Sequence, residues 1–389
     1  MKNFIHLSPH FPPNYKNFSQ ALKSEGIQVF GLGDLVYDEL DPGLKNALTA
    51  YYRVDDLHHY DQLVKALGYF THHYGKIDGI DSHNEYWLET EAKLRTDFTI
   101  PGIKSAEIDQ IKKKSAMKEI FRKAGLEVVE GIKVSSYQNA LDFVNRFGFP
   151  LIAKPDSGVG AADTYKITNQ YELKMFFNEK AKVPYFLEQF VEGQIQSFDG
   201  LVDKQGNLLF YTVHVNRHGV MEVVNENIHT YYYSLLQIPD DIIAAGKTAI
   251  KAFGLKGRFF HIEFFREKAS NKLIALEVNM RPPGGFTMDM FNYACDADLY
   301  KTWAAMIANR QAGFEYQRKY HVVYVSRKQQ YDYKFTQDAL LTMFPDEIVF
   351  HSPLPEIMAR AMGNHGFIIR GKSMEKLIEI QEQIQLLNQ

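Results

Sequence analysis

Short apolar runs alternate with longer amphipathic stretches along residues 1–107. The apolar runs predict buried strands at residues 4–7, 27–32 and 77–80. Helices are predicted from about Tyr15 to Gly26 and from Tyr60 to Tyr74. Strands that alternate with helices usually form a parallel sheet that those helices cover. We therefore expect an α/β N-terminal domain with a small parallel sheet.

After residue 107 the pattern changes, and strand-like runs joined by polar turns become frequent. A charged helix is predicted from Ile108 to Ala124 and is ended by Gly125. Asp203 to Asn207 form a polar turn between two strand-like runs, which predicts a hairpin. The segment from Ser373 to Leu387 reads as a final helix. An α+β centre follows the N-terminal domain, and three regions are expected at 1–107, 108–312 and 313–389.

Composition and charge exclude several classes of protein. The formal net charge is −3, so no basic field is available to hold nucleic acid or an anionic membrane. No run of about 18 uncharged apolar residues predicts a membrane span, and the N-terminus lacks the apolar core of a signal peptide. The single cysteine, Cys295, excludes an intramolecular disulfide and reads as a small buried residue. We expect a cytoplasmic globular protein.

The most informative feature is a pair of strand-like runs joined by a polar link. The two runs cover residues 258–265 and 273–279. Alternation with period two places His261 and Glu263 on one face of the first run. In the second run it places Ala275, Glu277 and Asn279 on one face. The link predicts an antiparallel hairpin, and a midpoint at residue 270 would set Glu263 opposite Glu277.

Two facing glutamates repel each other unless a cation lies between them. With the amide oxygen of Asn279 they form a set of hard oxygen ligands that suits Mg²⁺. The alternative is a pair of solvated glutamates on an open sheet face. Arg281 follows at once, before Pro282-Pro283-Gly284-Gly285. Its guanidinium could bind a carboxylate or an acyl phosphate through two hydrogen bonds, or it could be a surface charge.

Two further segments suggest a nucleotide. A buried strand ends in Lys154, and a loop of small residues, which includes Gly158 and Gly160, follows it directly. Glycine backbone can approach a phosphate closely, while Lys154 supplies positive charge. The run from Tyr185 to Gln189 reads as a strand in which Glu188 can accept from an amino group. The alternative is an edge strand with exposed glutamates.

In this order, the three segments resemble the ATP-grasp superfamily, which includes biotin carboxylase, carbamoyl phosphate synthetase and the bacterial L-amino-acid ligases. The strongest element is Glu263 followed by Glu277-Val278-Asn279-Met280-Arg281. The resemblance covers roughly Ile108 to Arg310 in motif and the whole chain in domain order. The turn after Arg281 is more similar to that of the amino-acid ligases than to that of biotin carboxylase.

The resemblance implies ATP and Mg²⁺ as cofactors, with two metal ions and with Mn²⁺ as a substitute. The implied metal ligands are Glu263, Glu277 and Asn279. The implied nucleotide-binding residues are Lys114, Lys154, Ser157, Gly158, Gly160, Ala161, Glu188, Gln189 and Val191. In this set Glu188 would accept from the adenine amino group, and the loop from Ser157 to Ala162 would cover the phosphates. Arg281 would be the catalytic residue that holds the carboxylate.

The resemblance implies a carboxylate–amine ligase that works through an acyl phosphate. Its expected substrates are small molecules, in particular amino acids. A homodimer is compatible with this family. The alternatives are a bicarbonate-using carboxylase type and a regulator that binds nucleotide without turnover. The family's glutamate for the ribose is missing near residue 195, where Gln194 or Gln196 could replace it.

Several further polar residues have open roles. They are His214, Arg217, His218 and His229, which lie between the nucleotide and metal segments, and Ser82 to Glu85 at the end of a predicted strand. Each could contact a substrate or be structural. Asn84 is equally well explained as the N-cap of a helix.

Overall fold

The structure is a computed structural model that describes residues 1–158, 163–217, 219–310 and 313–388. Within these residues the strands form two four-stranded sheets and one eight-stranded sheet. The strands are β1 (Asn3–Leu7), β2 (Gln28–Gly33), β3 (Ala50–Arg53), β4 (Gly79–Asp81), β5 (Gly131–Lys133), β6 (Leu151–Pro155), β7 (Tyr165–Ile167), β8 (Tyr185–Gln189), β9 (Gly193–Val202), β10 (Leu208–Asn216), β11 (Tyr231–Ser234), β12 (Arg258–Glu267), β13 (Leu273–Asn279), β14 (His321–Arg327), β15 (Ile348–Pro353) and β16 (His365–Gly371).

The α-helices lie on the faces of these sheets and in the connections between strands. They are α1 (Lys16–Ser24), α2 (Pro42–Ala47), α3 (Tyr60–Tyr74), α4 (Leu88–Asp97), α5 (Ile108–Lys112), α6 (Lys114–Lys123), α7 (Tyr137–Phe147), α8 (Gln170–Glu179), α9 (Val220–Glu226), α10 (Asp240–Ala252), α11 (Thr287–Cys295), α12 (Leu299–Ile307), α13 (Gln337–Met343), α14 (Glu356–Met362) and α15 (Met374–Gln385). Across the described ranges, none of them has the length and apolar character needed to cross a membrane.

The N-terminal sheet has the strand order β3-β2-β1-β4, and all of its strand pairs are parallel. Its core includes Phe30 and Phe70, whose rings stack with their centroids 4.9 Å apart. The predicted α/β N-terminal domain with a small parallel sheet is confirmed. At the end of β4, Asp81 Oδ2 lies 3.2 Å from the guanidinium of Arg258 in β12, which ties this sheet to the rest of the chain.

The second sheet has the order β5-β8-β6-β7, and its strand pairs are antiparallel. Strand β8 lies inside this sheet, hydrogen-bonded to β5 on one side and to β6 on the other. Glu188 in β8 is therefore only 4% exposed. The expectation of an edge strand with exposed glutamates is wrong for Glu188, because β8 has no free edge.

The large sheet has the order β13-β12-β9-β10-β11-β14-β16-β15 and is antiparallel throughout. The predicted hairpin around residues 203–207 joins β9 to β10. Strands β14 to β16, from the predicted C-terminal region, continue the same sheet beyond β11. Regions 108–312 and 313–389 thus share a sheet, and the boundary between them stays a prediction.

Residues 108–124 form two helices where one was predicted. Lys113 separates α5 from α6, with extended backbone angles of φ −84° and ψ 118°. Asp156, at the end of β6, accounts for the break. Its carboxylate accepts from the backbone N–H of Ser115 at 2.8 Å and from the Ser115 hydroxyl at 2.9 Å, and its carbonyl accepts from the N–H of Lys114 at 2.8 Å. The N-terminus of α6 is thus capped by a distant residue that no local pattern reveals.

Candidate active site

A cavity of about 500 Å³ lies where the second sheet meets the large sheet. Strands β6 and β8 line it on one side, and strands β9, β10, β12 and β13 line it on the other. The predicted site residues in its wall are Lys114, Lys154, Gly158, Glu188, Gln189, Val191, Glu263, Glu277, Asn279 and Arg281. The fold thereby brings together three segments that lie far apart in the sequence.

The hairpin of β12 and β13 has the register that the sequence predicted. Glu263 is the Cα partner of Glu277, and His261 is the partner of Asn279. All four side chains line the cavity. The amide nitrogen of Asn279 donates to Glu277 Oε1 at 3.2 Å, which leaves the amide oxygen of Asn279 available to a cation.

A β-bulge interrupts the ladder directly after the Glu263–Glu277 pair, since the next pair is Phe264 with Ala275. The expectation that Ala275 shares a face with Glu277 is therefore wrong. Ala275 is 1% exposed and packs in the core with Phe264, whereas Leu276 lines the cavity. A bulge sets two residues against one, so the alternation of side chains changes phase at that point.

The charges around Glu277 keep its carboxylate ionised. Lys114 Nζ lies 3.9 Å from Glu277 Oε2. Burial alone would raise the pKa of Glu277, but Lys114 and Lys154 outweigh it, and the pKa is below its usual range. Among the described residues, no group of three or more His, Cys, Asp or Glu side chains is arranged to hold a metal. Two carboxylates and an amide oxygen nevertheless fit Mg²⁺, which fills its other positions with water and phosphate oxygens.

Asp199 of β9 joins two histidines on the cavity face of the large sheet. Its Oδ1 lies 2.5 Å from His261 Nδ1, and its Oδ2 lies 2.7 Å from His214 Nδ1. The other ring nitrogen of His261 is 3.0 Å from Glu263 Oε1. Burial lowers the pKa of His261, but Asp199 and Glu263 outweigh it and raise the pKa to about 10. A cationic His261 therefore offsets part of the negative charge beside the predicted metal ligands.

Two lysines share the buried carboxylate of Glu188. Lys154 Nζ lies 2.5 Å from Oε1, and Lys118 Nζ lies 2.9 Å from Oε2. Burial raises the pKa of Glu188, but the two ammonium groups outweigh it and hold the pKa at about 2. Glu188 is therefore a carboxylate at all ordinary pH values. In this structure its oxygens face lysines, and its predicted contact with the adenine amino group stays a prediction.

Glu188→Gln is expected to lower the free energy of unfolding by about 3–5 kcal/mol, because it leaves two buried lysines without their counter-charge. Lys154→Ala should lower the free energy of unfolding by less than half of that amount, because Glu188 keeps Lys118 as a partner. Lys154→Ala should instead weaken nucleotide binding. Urea unfolding of the nucleotide-free protein, together with calorimetric ATP binding, would measure both effects. Equal losses of stability in the two variants would contradict the shared arrangement.

The loop after β6 begins beside Lys114, whose Nζ donates to the carbonyl of Gly158 at 3.4 Å. Ser157 precedes Gly158, is exposed and does not line the cavity. Gly160 and Ala161 lie outside the described residues. The predicted role of this loop as a cover for the phosphates therefore stays a prediction.

The end of β8 and the segment that follows it form another wall of the cavity, with Gln189 and Val191 among the lining residues. Gln194 also lines the cavity. Gln196 does not, and its side chain lies 3.5 Å from the Arg266 guanidinium. Of the two glutamines considered for the ribose hydroxyls, Gln194 is thus the one in the cavity wall, and its contact with a ribose stays a prediction.

Arg281 meets the N-terminal domain at the cavity wall. Its Nε lies 3.5 Å from Glu85 Oε2, and its NH1 donates to the carbonyl of Pro282 at 2.9 Å. Burial raises the pKa of Glu85, and Arg281 opposes that shift. Asn84 caps the short 3₁₀-helix at Glu85–Trp87 by accepting from the N–H of Tyr86 at 3.0 Å, in agreement with the capping interpretation.

The remaining polar residues are divided between the cavity and the surrounding structure. His214 and Arg217 line the cavity. His229 is not among the lining residues, and its Nε2 lies 2.6 Å from the hydroxyl of Tyr333. His218 lies outside the described residues. Cys295 is buried, as expected for a small structural residue.

Comparisons with known proteins agree with this geometry. Residues 147–289 match the family model for an ATP-grasp domain. The chain is 21% identical over 188 residues to the carbamoyl phosphate synthase large chain of Clostridium acetobutylicum, over 47% of this chain and 17% of that one. It is 23% identical over 235 residues to alanine–anticapsin ligase of Bacillus subtilis, over 52% of this chain and 47% of that one. These matches thus span less than half the length of either relative.

The similarity extends over the whole chain at the level of the fold. The crystal structure of an L-amino acid ligase from Bacillus licheniformis superposes with a TM-score of 0.76 at 16% identity, and it covers 99% of this chain and 97% of that one. The chain therefore contains an ATP-grasp domain and has the fold of the ATP-grasp ligases. The resemblance to ATP-grasp proteins that the motifs indicated is confirmed at the level of this domain and of the fold.

Three residues of the site received no role from the sequence, namely Lys118, Asp199 and His261, and Glu85 received only the open role shared by residues 82–85. A signal existed for Lys118, because it lies one helical turn after Lys114 and so shares its face of α6. His261 was already placed beside Glu263 by the alternation of β12. Asp199 and Glu85 reach the site through strand pairing and domain packing, which the local sequence does not encode.

Proposed function

We propose that the protein is an ATP- and Mg²⁺-dependent carboxylate–amine ligase that forms an acyl phosphate and then an amide or peptide-like bond, with release of ADP and phosphate. The observation that carries this proposal is one cavity lined by the proposed metal ligands Glu263, Glu277 and Asn279 and also by Arg281. A protein that only binds nucleotide has no need of a guanidinium beyond the metal ligands. Two metal ions, replaceable by Mn²⁺, belong to the proposal, as does a homodimer.

The residues of the cavity suit the two steps of such a reaction. Mg²⁺, when bound, neutralises the transferred phosphoryl group. Lys114 and Lys154 add positive charge on the nucleotide side. Arg281 would hold the substrate carboxylate through two hydrogen bonds, so that a carboxylate oxygen attacks the γ-phosphorus in line and ADP leaves. The amine then attacks the acyl carbon and releases a proton to solvent, Arg281 stabilises the oxyanion of the tetrahedral intermediate, and phosphate leaves.

Amino acids are the proposed substrates, at the carboxylate position and at the amine position. The names of the alanine–anticapsin ligase and of the L-amino acid ligase support this choice. Bicarbonate is the alternative first substrate, because a guanidinium such as that of Arg281 can bind either anion.

Phosphate release is the measurement that tests the proposal. The protein would be incubated with ATP, Mg²⁺ and each of the protein L-amino acids, singly and in pairs. Release that requires an amino acid, together with a product whose mass equals two amino acids minus one water, is the expected result. Release with bicarbonate alone would support the carboxylase type. ATP binding without release under any of these conditions would leave a nucleotide-binding regulator and overturn the proposal.

A further inference from the structure

Glu85 brings a charged group of the N-terminal domain to the wall behind Arg281. It follows β4 and opens a short 3₁₀-helix. Its side chain is only 7% exposed. Its Oε2 is 3.5 Å from Arg281 Nε, and this buried oxygen accepts no hydrogen bond from any described residue.

A buried carboxylate without hydrogen-bond donors is unfavourable unless a cation compensates for it. Arg281 is the strongest favourable charge that acts on Glu85, and Glu277 acts against it. Lys112 and Lys114 contribute less. Arg281 is thus the main group that stabilises the ionised carboxylate of Glu85 in this buried position.

The contact also restricts the orientation of Arg281. A guanidinium carries five N–H donors in one fixed plane. The Nε edge faces Glu85, and NH1 donates to the carbonyl of Pro282. The ion-pair contact at Nε and the hydrogen bond at NH1 together restrict the plane of the guanidinium, and a substrate anion can use the donors that make neither contact.

We propose that Glu85 is a positioning residue that holds Arg281 in the orientation needed for the substrate carboxylate. This inference rests on the proposed function, since it assigns the carboxylate to Arg281. It gives the N-terminal domain a part in the reaction, exerted through the arginine. A merely structural Glu85 would affect stability without affecting the behaviour of Arg281.

The first test needs no substrate. Phenylglyoxal condenses with the nitrogens of a guanidinium, and a guanidinium held against Glu85 and Pro282 presents fewer of them to the reagent. Glu85→Gln should therefore speed the labelling of Arg281, followed by peptide mass spectrometry, by at least about threefold. Arg310, which is 63% exposed and distant in sequence from both residues, serves as the internal reference. Glu89→Gln is the matched control, because Glu89 is 73% exposed and pairs with Lys112. An unchanged rate at Arg281 would overturn the proposal.

The second test is a double-mutant cycle with phosphate release as the readout and an equimolar pool of the protein L-amino acids as the probe. Glu85→Gln should lower kcat about tenfold, with calorimetric ATP affinity and melting temperature nearly unchanged. In an Arg281→Lys background, Glu85→Gln should lower kcat little further, because Glu85 acts on the reaction by holding the arginine. Losses that multiply would overturn the proposal. If the unaltered protein releases no phosphate with the pool, the proposed amino-acid activity fails, while the labelling test still decides the role of Glu85.

Discussion

Glu277→Gln is expected to lower ATP turnover at least about a hundredfold, which corresponds to about 2.7 kcal/mol of transition-state stabilisation. The substitution keeps the volume of the side chain and removes its charge. Glu277 faces Glu263 across the hairpin, and Lys114 and Lys154 keep it ionised. The amide would therefore leave a bound cation with one carboxylate in place of two. The fold should survive, since Glu277 lines an open cavity.

The measurement is the rate of ADP formation as a function of Mg²⁺ concentration, with the melting temperature as a check on folding. Glu267→Gln is a matched control, because Glu267 lies at the far end of β12 and does not line the cavity. A variant at Glu277 with near-normal turnover at saturating Mg²⁺ would remove this residue from the metal site.

Arg281→Lys should separate nucleotide binding from carboxylate activation. Lysine keeps the positive charge but loses the planar fork that can bind a carboxylate through two hydrogen bonds. We expect ATP affinity to stay nearly unchanged, whereas carboxylate-dependent formation of ADP and phosphate should fall at least about thirtyfold. The contact with Glu85 should weaken as well, since it is made by Nε.

Calorimetry with ATP and phosphate release with the best amino-acid substrate would give the two quantities side by side. Arg310→Lys, at an exposed position outside the cavity wall, should alter neither. Equal losses of affinity and of turnover at position 281 would place the arginine on the nucleotide. If neither ATP affinity nor turnover falls, Arg281 has no role in binding or catalysis.

Local patterns predicted those parts of the site that depend on local geometry. The alternation of β12 and a midpoint at residue 270 placed Glu263 opposite Glu277. The pairs next to the link are centred half a residue earlier, and the bulge at Leu276 produces the predicted pair. The apolar runs of the first region likewise predicted a parallel sheet. The first result follows because side-chain direction in a strand repeats every two residues. The second follows because strands that alternate with helices usually pair in parallel.

What the sequence did not predict depends on contacts between distant segments. The break at Lys113 arises because Asp156 caps α6 from the end of β6. The pair of lysines around Glu188 arises because α6 packs against β5, the neighbour of β8, and Lys118 then reaches the same carboxylate as Lys154. Tertiary contacts of this kind have no periodicity along the chain, so only the folded structure reveals them.

Because of the bulge, β13 contains one residue more than a regular ladder needs, and that residue can be removed without loss of the site. Leu276 and Glu277 both line the cavity, while Ala275 and Val278 on either side of them lie in the core. Removing Leu276 would therefore restore a regular ladder in which Ala275 points inward and Glu277 still points to the cavity. One apolar group would disappear from the wall, yet both glutamates would keep their partners. The strand can thus tolerate a deletion at this point, whereas deletion of Val278 would turn the residues on one side of the gap onto the opposite face.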